Sequence, residues 1–213
     1  SCYAINNFSH GDITLMALNT LPAGAFADDA ITSAKLAQDF SLVKISTTTV
    51  SSSAATVEFT GIDSTFETYM VSMNNVHFSA DNAEMRCQVG TDSAYITANY
   101  SLTGTAGRAG STTVDGVNQT GQASWDLGGG FDLGGDTNES YNGNHFFYNL
   151  RLTVGKKHIT SVSSFDQDGG NVVNTCLSGA QSDNSAMTKI KFGDLAASKT
   201  IETGVFTLYG VKQ

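Results

Sequence analysis

The chain has 213 residues, of which 15% are charged and 40% are apolar, and its net charge is −9. An acidic surface argues against binding to nucleic acid, because Lys and Arg must neutralise phosphates, and there is no run of about 18 apolar residues that would cross a membrane. Polarity comes mainly from Ser, Thr, Asn and Gly. With Thr and other β-branched residues so frequent, this composition favours a protein built of β-strands.

Residues 1–40 show little alternation and contain the only proline, Pro22. Asp28 or Asp29 is suited to cap a short helix, but such a helix would be too short to be stable alone. We therefore predict an extended or short-helical N-terminal arm that becomes ordered on a partner. The residues predicted to attach it to other proteins are Leu21, Pro22, Phe26, Ile31 and Leu36.

From Leu42 onward apolar and polar residues alternate, which is the pattern of strands that bury one face. About ten short strands separated by turn-rich stretches predict an all-β domain over residues 41–213, an antiparallel β-sandwich with a jelly roll as the leading topology. The alternation predicts four sets that each share a strand face: Val43, Ile45 and Thr47; Ala55, Val57 and Phe59; Tyr69, Val71 and Met73; Met85, Cys87 and Val89.

The clearest alternation is in HFFYNLRLTV, residues 145–154. One set of side chains is more apolar, so we expect it to face the core, and we expect the other set to form the more solvated side. The first set is Phe146, Tyr148, Leu150, Leu152 and Val154; the second is His145, Phe147, Asn149, Arg151 and Thr153.

Residues 103–144 contain few apolar positions and many glycines, which predicts a long loop with a hairpin around Trp125 to Leu133. Long loops inside a compact domain are usually functional. Aromatic rings beside Asn, Asp and Gly suit a sugar-binding surface, and the alternative is that the rings anchor the loop to the core. The predicted ligand-binding residues are Trp125, Phe131, Tyr141, Asp126 and Asp132.

The near-repeat DLGGGFDLGGD offers carboxylates from Asp126, Asp132 and Asp136, and Ca²⁺ prefers such oxygen ligands. The spacing fits neither an EF-hand loop nor a GGxGxD nonapeptide, and turns that need positive φ explain the glycines. We therefore predict no metal and no cofactor. GxSxG and HExxH motifs are absent and the four histidines are dispersed, so we expect a protein that is not an enzyme.

Three cysteines, Cys2, Cys87 and Cys176, are too few for a disulfide framework. Cys87 alternates with Met85 and Val89, which favours a small buried hydrophobe. A bridge between Cys87 and Cys176 is the alternative.

Three stretches resemble virion proteins of tailed phages, a family common in marine phages. The segment SLVKISTTTVSSSAATVEFTGIDSTFETYMVSMNNVHFSADNAEMRCQVGTDS is similar to a Ser/Thr strand followed by EFTGIDSTY and an N–H–S–D turn in that family. The ending VFTLYGVKQ is similar to the family's last strand, and ADDAITSAKLAQDF resembles linkers near the start of tail-fibre proteins. The resemblance implies a virion appendage, usually trimeric.

Together these features predict a non-catalytic short tail fibre or appendage subunit. Its arm, residues 1–40, would attach to other virion proteins, and its β-sandwich would project from the particle towards a host surface glycan. The chain would be a homotrimer, assembled in the host cytoplasm and extracellular on the virion. The alternatives are a capsid decoration or head-fibre protein and a secreted, lectin-like carbohydrate-binding module.

Overall fold

The computed structural model describes residues 42–195 and 199–212. The predicted arm and its attachment residues, Leu21, Pro22, Phe26, Ile31 and Leu36, lie outside the described residues, and the boundary at residue 40 stays a prediction. Within the described ranges every regular element is a β-strand. No helix there is long and apolar enough to span a membrane.

The described strands follow one another along the whole domain. Their bounds are β1 Leu42–Val50, β2 Val57–Thr60, β3 Thr68–Phe78, β4 Arg86–Gly90, β5 Tyr100–Arg108, β6 Val114–Gln122, β7 Trp125–Asp126, β8 Tyr141–Tyr148, β9 Lys157–Gln167, β10 Asn171–Gln181, β11 Lys189–Gly193 and β12 Ile201–Val211.

The strands form two antiparallel sheets that pack as a sandwich. The larger sheet has eight strands in the order β1-β12-β3-β8-β9-β10-β5-β6, and the smaller has four in the order β2-β11-β4-β7. Side chains of alternate residues on the two inner faces form one hydrophobic core, as expected for a sandwich.

The connections are those of a jelly roll, which confirms the predicted fold. Strands of the first half pair with strands of the second half in the manner of a long rolled-up hairpin: β1 with β12, β2 with β11, β3 with β8 and β4 with β7. The pairs β12·β3 and β11·β4 then close the roll in each sheet. Eight strands in two Greek keys are the jelly-roll pattern.

Two additional hairpins, β5–β6 and β9–β10, widen the larger sheet beyond β8. The prediction of a long loop over 103–144 is therefore wrong, because that range contains most of β5, all of β6 and β7 and the start of β8. In β6 the only buried residue is Val117. An edge strand with so little buried surface has almost no apolar signal in its sequence.

The strand face predicted for residues 145–154 is also wrong. Strand β8 ends at Tyr148 and Asn149 turns the chain with a φ of 62°, so the later aliphatic residues do not continue the strand. His145 and Phe147 are fully buried on the inner face. Of the aliphatic residues only Leu150 is buried, whereas Leu152 and Val154 are 49% and 72% exposed.

The other predicted faces are mostly confirmed. A bulge between Lys44 and Ser46 shifts the alternation of β1, so the predicted set of Val43, Ile45 and Thr47 is wrong: Ile45 and Thr47 are exposed, and Val43 is partly buried. Ala55 is exposed because it precedes the start of β2. The confirmed buried residues are Val57, Phe59, Tyr69, Val71, Met73, Met85, Cys87 and Val89.

Cys87 and Cys176 are both free. Cys87 lies on the inner face of β4 and is fully buried, where desolvation raises the pKa of its thiol well above the usual range. Cys176 is exposed on β10. The two thiols belong to different sheets, and the interpretation of Cys87 as a buried hydrophobe is confirmed.

Candidate functional site

Trp125, the first of the predicted ligand-binding residues, lies in the core. Its exposure is 0%, and its ring makes an edge contact with Tyr100 at 4.9 Å and a tilted contact with Phe147 at 6.2 Å. Gly179 leaves room for the indole, since a Cβ there would lie 2.7 Å from Nε1. The ring therefore anchors the strand and cannot stack on a sugar at the surface.

Asp126 holds the glycine-rich turn together. Its carboxylate accepts hydrogen bonds from the backbone amides of Gly128 at 3.1 Å and Gly130 at 2.9 Å, and from Gln119 Nε2 at 3.2 Å. The side chain is 3% exposed, and this desolvation raises the pKa of Asp126. These donors occupy its oxygens, so its role is to order the turn.

Tyr141 is likewise buried, with its ring stacked on Phe165 at 5.5 Å. Phe131 and Asp132 are only partly buried, and they are the two members of the predicted set that reach the surface. Burial also raises the pKa of Asp132. The predicted sugar site is therefore wrong as a surface site. Three of its five members, Trp125, Asp126 and Tyr141, lie in the interior, and only Phe131 and Asp132 reach the surface.

The third carboxylate of the near-repeat, Asp136, is exposed. Among the described residues no group of three or more His, Cys, Asp or Glu side chains is placed to hold a metal ion. The glycines have the turn geometry expected of them: Gly129 and Gly130 have φ values of 67° and 92°.

His145 is a buried histidine that the sequence had placed on the solvated side. Its Nδ1 lies 2.9 Å from Ser161 Oγ, and its ring is stacked with Tyr141 at 6.0 Å. Burial lowers the pKa of His145 to about 3, so the ring is neutral at pH 7. This histidine therefore supports the core and does not reach solvent.

The outer face of the larger sheet is the most distinctive surface of the described domain. Its outward side chains form rows across β3, β8, β9, β10 and β5 that contain no Lys, Arg, Asp or Glu. We call these rows the neutral face: Thr68, Tyr148, His158, Ala180 and Ser101; Met70, Phe146, Thr160, Ser178 and Thr103; Ser72, Asn144, Val162, Cys176 and Thr105; Asn142, Ser164, Asn174 and Gly107.

The smaller sheet presents a different outer face. Lys191 pairs with Glu58 on one side and with Gln88 on the other. Lys189 and Lys191 both place Nζ over the ring of Tyr95, at 4.5 and 4.1 Å from its centroid. This charged face is typical of a surface in water, whereas charged residues are depleted at the centre of protein–protein interfaces.

The neutral face was not predicted from the sequence, although the sequence contains a signal for it. Strands β9 and β10 alternate buried and exposed residues along their length. Their exposed positions hold His, Ser, Asn, Val and Cys where a solvated strand would carry Lys or Glu. The lack of charged residues at the exposed positions of these two strands is the signal that indicates this surface.

Comparison of the chain with family models, with curated proteins and with solved structures found no match.

Proposed function

We propose that this protein is a non-catalytic structural subunit of a phage virion, and that copies of it pack together through the neutral face. The observation that carries the proposal is the lack of charge on that face in a chain whose net charge is −9. The jelly roll is a fold used by viral capsid proteins and by lectins. The resemblance of residues 41–93 to tailed-phage virion proteins supports the viral context.

The neutral face accounts for most of a small interface. Thr68 and Met70 of β3 are only 7% exposed, and the other four strands, about 4.8 Å apart, with four rows about 6.6 Å apart, cover on the order of 500 Å². Specific interfaces bury roughly 600–1,000 Å² on each partner. At the centre of the face Val162 is 50% exposed, so contact with a partner would also remove apolar surface from water.

A second copy of the chain is the partner that fits this face best. Hydroxyl and amide groups both donate and accept hydrogen bonds, so a surface made of them is complementary to itself. Two copies that each have a net charge of −9 repel one another elsewhere. The neutral face is the region through which they can approach with the least repulsion.

The contacts made by the buried titratable groups support a non-catalytic role. Asp126 binds the turn amides, and His145 and Tyr141 pack together inside the core. The short tail fibre, the capsid decoration protein and the homotrimer remain proposals within this structural class.

Charge introduced at the centre of the neutral face should break self-association. We expect Val162→Lys to weaken association by at least roughly tenfold, because each contact would bury an unpaired ammonium group. Sedimentation velocity over a concentration series measures this. The wild-type chain should sediment as a multiple of its 22.4 kDa mass, and the variant should shift towards the monomer.

Val154→Lys is the matched control. Val154 is 72% exposed in the connection between β8 and β9, outside the neutral face, so the same change there should leave association unaltered. A wild-type chain that is monomeric throughout the series would contradict self-association, as would a Val162→Lys variant that associates as tightly as the control.

A further inference from the structure

A second surface feature lies at one end of the sandwich, between the β2–β3 connection and the β8–β9 connection. It is a cleft of about 300 Å³ lined by Ser64, Phe66, Glu67, Asn149, Arg151 and Leu152. This volume is at the lower end of the range found for small-molecule sites, about 300–1,000 Å³. None of these residues belongs to the neutral face.

The β2–β3 side of the cleft is held in place by a network around Asp63. The Asp63 carboxylate accepts hydrogen bonds from the Thr65 amide at 2.8 Å and the Tyr69 hydroxyl at 3.1 Å. Tyr69 also donates to the Asp63 carbonyl at 2.8 Å and is 2% exposed. A wall fixed in this way needs little reordering to receive a ligand, which favours binding.

Phe66 gives this wall a flat apolar surface. Its ring lies directly on Gly210 of β12, where a Cβ would come within 2.3 Å of the ring, and it makes an edge contact with Tyr69 at 5.9 Å. Across the cleft Leu152 is 49% exposed. The cleft therefore offers apolar contacts on both sides.

Arg151 supplies the positive charge. Its Nη1 donates to the Met187 carbonyl at 3.2 Å, while its Nε is buried and has no hydrogen-bond partner. Within the described part of the chain its side chain forms no ion pair. The nearby Asp63 attracts it electrostatically, but the Asp63 carboxylate is bonded to Thr65 and Tyr69. The guanidinium group thus has donor capacity left for an anionic acceptor.

We propose that this cleft binds a carboxylated sugar, of the hexuronate class, as a unit of an acidic polysaccharide. The guanidinium group of Arg151 binds the carboxylate, since its fork of donors matches that geometry. The apolar face of the sugar ring packs on Phe66 and Leu152. Glu67 repels the carboxylate and accepts hydrogen bonds from hydroxyl groups, so it orients the sugar, and Ser64 and Asn149 bind further hydroxyls.

The test is titration of the full chain with a hexuronate tetrasaccharide, followed by calorimetry and by NMR of the isotope-labelled protein. We expect a Kd of about 1 mM or lower, and shifts concentrated at Ser64, Glu67, Asn149 and Arg151. Three comparison ligands are used. Acetate and inorganic phosphate test whether any small anion binds, and a neutral glucose tetrasaccharide tests whether any sugar binds.

Arg151→Gln should raise the Kd for the hexuronate by at least roughly tenfold. The matched control is Arg108→Gln, which removes the same positive charge from an exposed residue of β5. It should leave the Kd for the hexuronate unchanged. If Arg151→Gln does not fold, the NMR shifts of the wild-type chain decide the outcome.

Three results would overturn the proposal. They are no binding at about 10 mM hexuronate, shifts that lie away from the cleft, and binding of acetate, phosphate or the neutral tetrasaccharide as tight as that of the hexuronate. None of them bears on self-association through Val162, so the two proposals fail separately.

Discussion

Replacement of Trp125 by Ala should lower the free energy of unfolding by about 3–5 kcal/mol, the cost of deleting a large buried aromatic side chain. The cavity would open among Tyr100, Phe147 and Gly179, which surround the indole. For a domain of this size the melting temperature should fall by roughly 6–20 °C. Thermal unfolding followed by circular dichroism measures the change.

Trp125→Phe is the control for this substitution. It keeps most of the buried ring and removes the indole N–H, which has no hydrogen-bond partner in the core, so its cost should be clearly smaller. A Trp125→Ala variant that melts within about 2 °C of the wild type would show that the ring is not a core anchor. The sugar-stacking role assigned to it from the sequence would then need to be considered again.

Acidification should destabilise the folded protein through His145. An unfolded histidine titrates near 6.5, whereas burial holds the pKa of His145 at about 3 in the folded protein. The unfolded chain therefore binds the proton first, and this contribution to stability is complete above pH 6.5 and is lost as pH falls towards 3. Between pH 6.5 and pH 4 the loss from this residue should be about 3 kcal/mol.

The comparison with His145→Asn isolates this effect. An amide at this position can still bond Ser161 but does not titrate, so urea unfolding of the variant should show a much flatter dependence on pH between 4 and 6.5. Asp126 and Asp132 contribute with the opposite sign, because burial raises their pKa, and they do so in both proteins. Equal slopes for the wild type and His145→Asn would contradict the buried, neutral ring.

The jelly-roll core was predictable because its strands bury one complete face. Met85, Cys87 and Val89 alternate with polar residues, and that pattern alone predicts both a strand and which of its faces is buried. The hairpin β5–β6 was not predictable in the same way. It extends the edge of a sheet, and β6 buries only Val117, so its Gly, Asn and Thr residues resemble a loop.

The error at residues 145–154 has a different cause. The alternation of Phe146 and Tyr148 continues past the end of β8 into Leu150, Leu152 and Val154, and this longer apolar series predicts the wrong inner face. The turn at Asn149, with φ of 62°, interrupts that series. A buried histidine bonded to a serine is a tertiary feature, and alternation of hydrophobicity cannot indicate it.

The candidate sites were the least predictable part. Trp125 and Tyr141 are large aromatics near glycines, a combination that fits a sugar site as well as a core anchor, and only burial distinguishes the two. The cleft of Phe66 and Arg151 joins two connections that are distant in the sequence. No local motif marks it, because its ligand-binding character depends on which loops the jelly roll brings together.

The central proposal, that this chain is a structural subunit of a phage virion, is tested most directly by counting its copies in purified particles of the phage proposed to encode it. Quantitative mass spectrometry relative to the major capsid protein gives this number. We predict that the chain is present in every preparation at a constant ratio, with a few to a few tens of copies for a tail appendage or hundreds for a capsid decoration protein. Absence from the particles would contradict the virion assignment and favour a secreted carbohydrate-binding module.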